Sequence, residues 1–227
     1  MIRNLKVLVA AAMALAAFGV LNASGAQAAA EFHCSVEPCV GVLKPDEVVN
    51  TKTSHQVFII ENAEKTESLS FTCGSLSGKA KINTKTSSVV EAGSFSALAY
   101  SECLVNGGAA LTIDMNGCKY NLTAAGTATI TGCTSASKSI EATMTGCTIS
   151  VPEQGPLGTV SYHNIGTSPN REVTIQPSIK EIKVTASGTQ ANCGINPQQT
   201  LIATQTTGNV IVTGQTEPGV MADAWWE

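Results

Sequence analysis

Leu111-Thr112-Ile113-Asp114-Met115-Asn116-Gly117-Cys118-Lys119-Tyr120-Asn121-Leu122-Thr123 is the stretch that decides the fold class. Leu111, Ile113 and Met115 alternate with Thr112 and Asp114, and Cys118, Tyr120 and Leu122 alternate with Lys119 and Asn121. A period of two sends successive side chains to opposite faces, so each run has one face for a core and one for water. Asn116-Gly117 is the strongest two-residue hairpin signal in the chain, because both residues tolerate the positive φ of a type I′ turn. It is expected to pair residues 111–115 with 118–122. Ala124-Ala125-Gly126 is expected to turn the chain again into residues 127–131.

The same pattern extends outward. Ile140, Ala142 and Met144 alternate with Glu141, Thr143 and Thr145, and Cys147, Ile149 and Val151 are expected to continue that strand past Gly146. Turn signals recur at Asn106-Gly107-Gly108, Gly155-Pro156, Ser187-Gly188 and Thr207-Gly208-Asn209. Threonine is abundant, as suits the exposed faces of strands. Beyond residue 30 no stretch holds an i, i+3, i+4, i+7 apolar pattern over three turns. The expectation is an all-β chain: an antiparallel β-sandwich or barrel-like single domain over residues 68–216, stapled by disulfides. The more polar residues 29–67 read as an N-terminal extension with one possible strand at 57–60. Residues 217–227 read as a mobile C-terminal tail.

The first residues read as an export signal. Arg3 and Lys6 precede an apolar run over 7–21, and Ala26-Gln27-Ala28 fits the small-residue cleavage rule, so 1–28 is expected to be a signal peptide. The run is shorter than the roughly 20 residues needed to span a bilayer. Leu21-Asn22-Ala23-Ser24 lacks the cysteine of a lipoprotein signal, and no later run is long enough for a membrane span. Cleavage would take Arg3 and Lys6 from the 13 basic residues, leaving 11 against 17 acidic ones, a net charge of −6. That balance argues against nucleic acid or an anionic membrane surface as a partner, since both demand a basic face.

All eight cysteines, Cys34, Cys39, Cys73, Cys103, Cys118, Cys133, Cys147 and Cys193, follow the signal, and an even count behind an export signal reads as four disulfides. A zinc site is the rival, but no C-x-x-C pair is present and His33, His55 and His163 are the only histidines. Eight cysteines allow 105 connectivities. Cys34 and Cys39 can close locally, with Pro38 turning the chain between them. In the expected meander Cys118 and Cys133 reach the same edge, while Cys103 lies at the far end of its strand and beyond disulfide reach. Cys73–Cys103 and Cys147–Cys193 remain by elimination.

Catalytic motifs are missing. Gly74-Ser75-Leu76-Ser77-Gly78 has leucine where a nucleophile elbow needs serine, and Gly74 to Lys79 is one residue short of a phosphate loop. H-E-x-x-H is absent, and Asp46, Asp114 and Asp223 are too few and too scattered for an EF-hand. No metal or cofactor is expected. Glu91, Glu102, Asp114, Glu141, Glu153, Glu172 and Glu181 are read as solubilising charges, with Asp114 stabilising its turn. Any two of these acids converging in space would make a glycosidase pair. Phe32, Phe58, Phe71, Phe95, Tyr100, Tyr120 and Tyr162 mostly suit core positions, which leaves Trp225-Trp226 as an exposed aromatic pair able to act as a docking peptide. Asn121-Leu122-Thr123 matches a glycosylation sequon, incidental in a bacterial protein.

Phe71-Thr72-Cys73, Tyr100-Ser101-Glu102-Cys103, Asn116-Gly117-Cys118-Lys119-Tyr120 and 147–154 occur in the order found in a group of uncharacterised secreted, cysteine-containing β-rich proteins of actinobacteria. Residues 70–215 resemble that group. The resemblance implies a secreted β-rich fold and carries no activity with it; the Cys34–Cys39 pair and the tryptophan tail lie outside it. The resulting expectation is a secreted or cell-wall-associated, non-catalytic adhesive, structural or binding module, whose partner would be a wall polymer or another surface protein. The alternatives are a hydrolase using a convergent carboxylate pair and a protease inhibitor presenting residues 152–158.

Overall fold

The computed structural model describes residues 29–45, 56–82, 85–106, 108–134, 138–206, 208–216 and 219–227. The expected signal at 1–28, His55, and Asp46 and Glu47 lie outside them, as do Gly107 and Thr207 of two of the expected turns. The described chain is all-β and its pairings are antiparallel, apart from one helical turn, Gln190–Cys193.

One layer is built around Cys39–Pro45, which lies between Val210–Gln215 and Ser75–Ile82. The ladder passes from Ser75–Ile82 to Val89–Ser101, then to Lys119–Thr123, Ala128–Thr131 and Gln154–Leu157. A second set places Gln56–Asn62 between Leu201–Thr206 and Ser68–Cys73, with Leu104–Val105 and Ala109–Ala110 beyond. Across from it lie Thr112–Asp114, Ile140–Met144 and Cys147–Val151. The arrangement is a sandwich-like stack of antiparallel sheets and not a closed barrel.

Glu172–Gly188, at 17 residues, belongs to both parts. Its beginning pairs with Thr159–Ile165 and Val210–Gln215, its middle with Leu201–Thr206, and its end with Cys147–Val151. The register slips between Ile179 and Ile182, and Glu181 takes a φ of 59° there, as a bulged residue does when a strand bends from one sheet into the next. Gly158 lies against this bend. A Cβ on it would stand 2.6 Å from Ile179 Cα, so only glycine lets the backbones approach this closely.

The Asn116-Gly117 turn forms, with φ of 47° and 77° and Cys118 N–H donating to Met115 O at 2.7 Å. The strands it joins do not pair, contrary to the hairpin expectation. Thr112–Asp114 pairs with Ile140–Met144, while Lys119–Thr123 pairs with Ala128–Thr131 and Val89–Ser101. The turn chemistry is local, but the partners are chosen by burial elsewhere, so this turn carries the chain between sheets. Ala124-Ala125-Gly126 does close a hairpin, with Gly126 N–H donating to Thr123 O at 2.9 Å. Residues 140–151 are likewise not one strand: Met144 lies opposite Cys147, and Thr145-Gly146 is a tight turn at which Gly146 takes a φ of 72°.

Both ends join the sheets. Residues 29–67, expected as an extension with one strand, contribute Phe32–Cys34, Cys39–Pro45 and Gln56–Asn62. The strand expected at 57–60 forms as Gln56–Asn62, and Val40, Ile60 and Asn62 are buried. Of the expected tail at 217–227, the described residues 219–227 are held in the fold: Ala224–Trp226 pairs with Phe32–Cys34 and Met221–Ala222 with Val210–Gln215. The disulfides are Cys34–Cys39, Cys73–Cys103, Cys118–Cys133 and Cys147–Cys193. The helical turn, capped by Thr189 and ended by Gly194 in the left-handed region, presents Cys193 to Cys147.

Candidate functional site

The inward faces of these strands do not fill the interior. Leu76, Leu98, Leu122, Val160 and Ile175 surround one apolar cavity of about 50 Å³. Phe58, Phe71, Ile113, Ile149 and Val184 surround a second of about 50 Å³. Four residues line both: Tyr100, Tyr120, Ile179 and Gln205. The cavities are therefore adjoining chambers with a common wall.

Strand periodicity builds that wall. Tyr100 follows Leu98 on the inner face of Val89–Ser101, and Tyr120 stands between Cys118 and Leu122. Their hydroxyls meet at 3.3 Å, longer than the usual 2.7–2.8 Å or so for this pair of groups. Phe58 stacks on Phe71 at 4.8 Å and meets Tyr100 edge-on at 6.0 Å. Gln205 Nε2 donates to Gln56 Oε1 at 2.6 Å, and Gln56 Nε2 donates in turn to Gly208 O at 2.5 Å. Phe58, Tyr100, Ile113, Tyr120 and Val151 all point inward yet keep accessible surface, which opens onto the second chamber.

Burial pushes Tyr100 well above its ordinary pKa, and the neighbouring Tyr120 charge adds to that rise. Burial also raises Tyr120, against a partly opposing hydrogen bond from Tyr100, and raises Tyr162. A pKa raised on folding contributes stability that is complete below the unfolded value of about 10 and is lost as pH climbs towards the folded one. Absorbance titration near 295 nm is expected to show no tyrosinate band at pH 10–11 while the protein stays folded. The band should appear only with unfolding; growth of it near pH 10 in the folded state would contradict the enclosed wall.

Among the described residues, no Asp, Glu, His, Lys, Arg or Cys lines either chamber. The carboxylates singled out in the sequence serve local structure. Asp114 accepts from Asn116 N–H at 2.8 Å, Glu153 from Cys133 N–H at 2.8 Å, Glu172 from the Thr213 hydroxyl at 2.6 Å and Glu91 from Ser94 at 2.9 Å. Asp114 and Glu141 lie opposite one another on the outer face of their sheet. Glu102 and Glu181 hold positive-φ positions at exposed sites. Gly74 to Lys79 runs into Ser75–Ile82, and residues 152–158, expected as an exposed loop, include the paired strand Gln154–Leu157.

The tryptophan pair is bound into the frame. Trp226 Nε1 donates to Ala124 O at 3.0 Å, and the Trp226 backbone exchanges two hydrogen bonds with the Asn164 side chain. Trp225 is sandwiched between His33, stacked at 5.1 Å, and the Arg171 guanidinium, 4.0 Å above the ring. The Asp223 carboxyl accepts from Arg171 N–H at 2.9 Å. Hydrogen bonds from the Ser168 hydroxyl and this amide, with the guanidinium beside them, hold that carboxyl below the usual carboxylate range. His163 contacts Gln176 at 3.1 Å on the surface. Among the described residues no group of three or more His, Cys, Asp or Glu is placed to hold a metal, and no helix is long and apolar enough to cross a membrane.

The sequence reading placed Tyr100 and Tyr120 among core residues but did not find the chambers. It missed Gln56 and Gln205 altogether, since a buried glutamine carries no signature that separates it from a surface one. No protein-family model, curated protein or solved structure matches the chain.

Proposed function

We propose that this is an exported, non-catalytic binding module whose site is the pair of interior chambers. The observation that carries the reading is two adjoining apolar cavities with a shared polar wall and, among the described residues, no ionisable side chain able to act as nucleophile, base or metal ligand near neutral pH. A concave, mostly apolar site with a few polar groups is the usual form of a small-molecule site. The frame supports the same reading: four disulfides suit an oxidising compartment, and residues 1–28 read as an export signal. Resemblance to secreted actinobacterial proteins agrees with it. A wall polymer gripped by the tryptophans is a weaker reading, because both rings are engaged within the fold.

Xenon tests the site directly, since dry apolar cavities take it up. Methyl signals of Leu98, Leu122, Ile149 and Val184 should shift on pressurising with xenon, while those of exposed Leu104 and Val220 should not. Lining methyls that stay still would remove the chambers as a site. Mass spectrometry of culture medium, salt-washed wall and membrane fractions tests export. The chain cleaved after Ala28 should be found in the medium or the wall wash; an uncleaved, membrane-bound chain would overturn the reading.

A further inference from the structure

We infer that the chambers together take one slender, electrically neutral molecule, apolar at both ends, with a single oxygen seated at the Tyr100–Tyr120 wall. The inference deepens the binding reading above and rests on the chambers being the site. Three observations carry it.

The first is the hydrogen-bond count at the wall. Two phenol hydroxyls bring two protons, and Tyr100 and Tyr120 share one long bond of 3.3 Å. One proton is thus left without an acceptor beside space where a guest can sit. A carbonyl, ether or alcohol oxygen on the guest would accept it. The Gln205 amide, at the same wall, adds a second polar group within the enclosure.

The second is charge. Among the described residues no lysine, arginine or histidine lines either chamber, so a carboxylate or phosphate guest would meet no counter-charge from them. No described aspartate or glutamate lines them either, which disfavours an amine cation by the same reasoning. The phenols stay neutral donors at physiological pH. Only a neutral oxygen matches them.

The third is shape. Each cavity of about 50 Å³ exceeds the roughly 10–15 Å³ that one water requires, and each is walled by leucine, isoleucine, valine and phenylalanine. Apolar segments gain by entering such space, and the polar wall lies between the two segments. A molecule with its oxygen at one end would leave either the wall or one chamber unmatched.

Heptan-4-one, heptane and heptanoate form a matched probe set, alike in length and differing in the oxygen. Relative to heptane, the ketone is expected to bind about three- to tenfold tighter to the parent protein than to Tyr100→Phe/Tyr120→Phe, the worth of one net hydrogen bond. Heptanoate should show no measurable binding at neutral pH. In Tyr100→Phe/Tyr120→Phe ketone binding should weaken by that factor while heptane binding is retained; each single variant keeps one phenol proton and should keep the ketone contact, and should the double variant not fold, heptanoate binding by the parent still decides. Tight binding of heptanoate, or a ketone-to-heptane ratio unchanged in Tyr100→Phe/Tyr120→Phe, would overturn the ligand class. Failure of xenon to enter would instead remove the chamber reading itself, so the two failures are distinguishable.

Discussion

Replacing Cys147 and Cys193 with alanine is expected to lower the stability by about 4 kcal/mol. The two residues are 46 apart in sequence, and chain-entropy theory gives roughly that figure for a loop of this size. The enclosed segment holds Gln154–Leu157, Thr159–Ile165 and the whole of Glu172–Gly188, so the strand that joins both chambers lies inside the loop. Without the bond the unfolded chain gains freedom and the folded one keeps its ladders. For a chain of this length each kcal/mol shifts the midpoint by about 2–4 °C, so the melting temperature should fall by roughly 8–16 °C. Calorimetry of parent and variant without reductant measures it. A fall of under about 3 °C would mean that the unfolded state is held compact by other means.

Ile149→Ala should cost about 4 kcal/mol, within the range known for deleting a fully buried aliphatic side chain. Ile149 is 1% exposed and sits mid-strand, opposite Ala142 on one side and Ala186 on the other. Both neighbours are already small, and both ladders hold the backbone in place, so the site cannot collapse into the space. The new void opens into the second chamber, whose lining includes Ile149. Urea unfolding should show a lower midpoint with an unchanged slope, and xenon uptake into that chamber should increase. Thr148→Ala, one residue away on the outer face, should stay within about 0.5 kcal/mol of the parent. A loss at Ile149 no greater than at Thr148 would mean that the strand is not packed as described.

The inward and outward faces were legible along residues 111–151 because burial on one side leaves a period of two. Cys118, Leu122, Ile140, Ala142, Cys147 and Ile149 are all buried, as their alternation implies. Partner choice was legible at the Ala124-Ala125-Gly126 hairpin but not at Asn116-Gly117. Asn116-Gly117 encodes a bend in its own φ angles, but nothing local says that residue 113 will lie opposite 142. The C-terminal end misled for a related reason: inward Asp223 is polar, and it is buried because distant Arg171 satisfies it. The chambers are hardest of all to foresee. An empty volume is the mismatch between side chains on opposing sheets, and no single residue records it.

The long strand Glu172–Gly188 has one more consequence. It hydrogen-bonds in turn to Thr159–Ile165, Val210–Gln215, Leu201–Thr206 and Cys147–Val151, so neither half of the interior has a sheet entirely its own. Loosening one half strips pairing partners from the other. Backbone amides at its middle are expected to exchange with solvent only when both halves open together, so neither half should melt alone into a partly folded, aggregation-prone species.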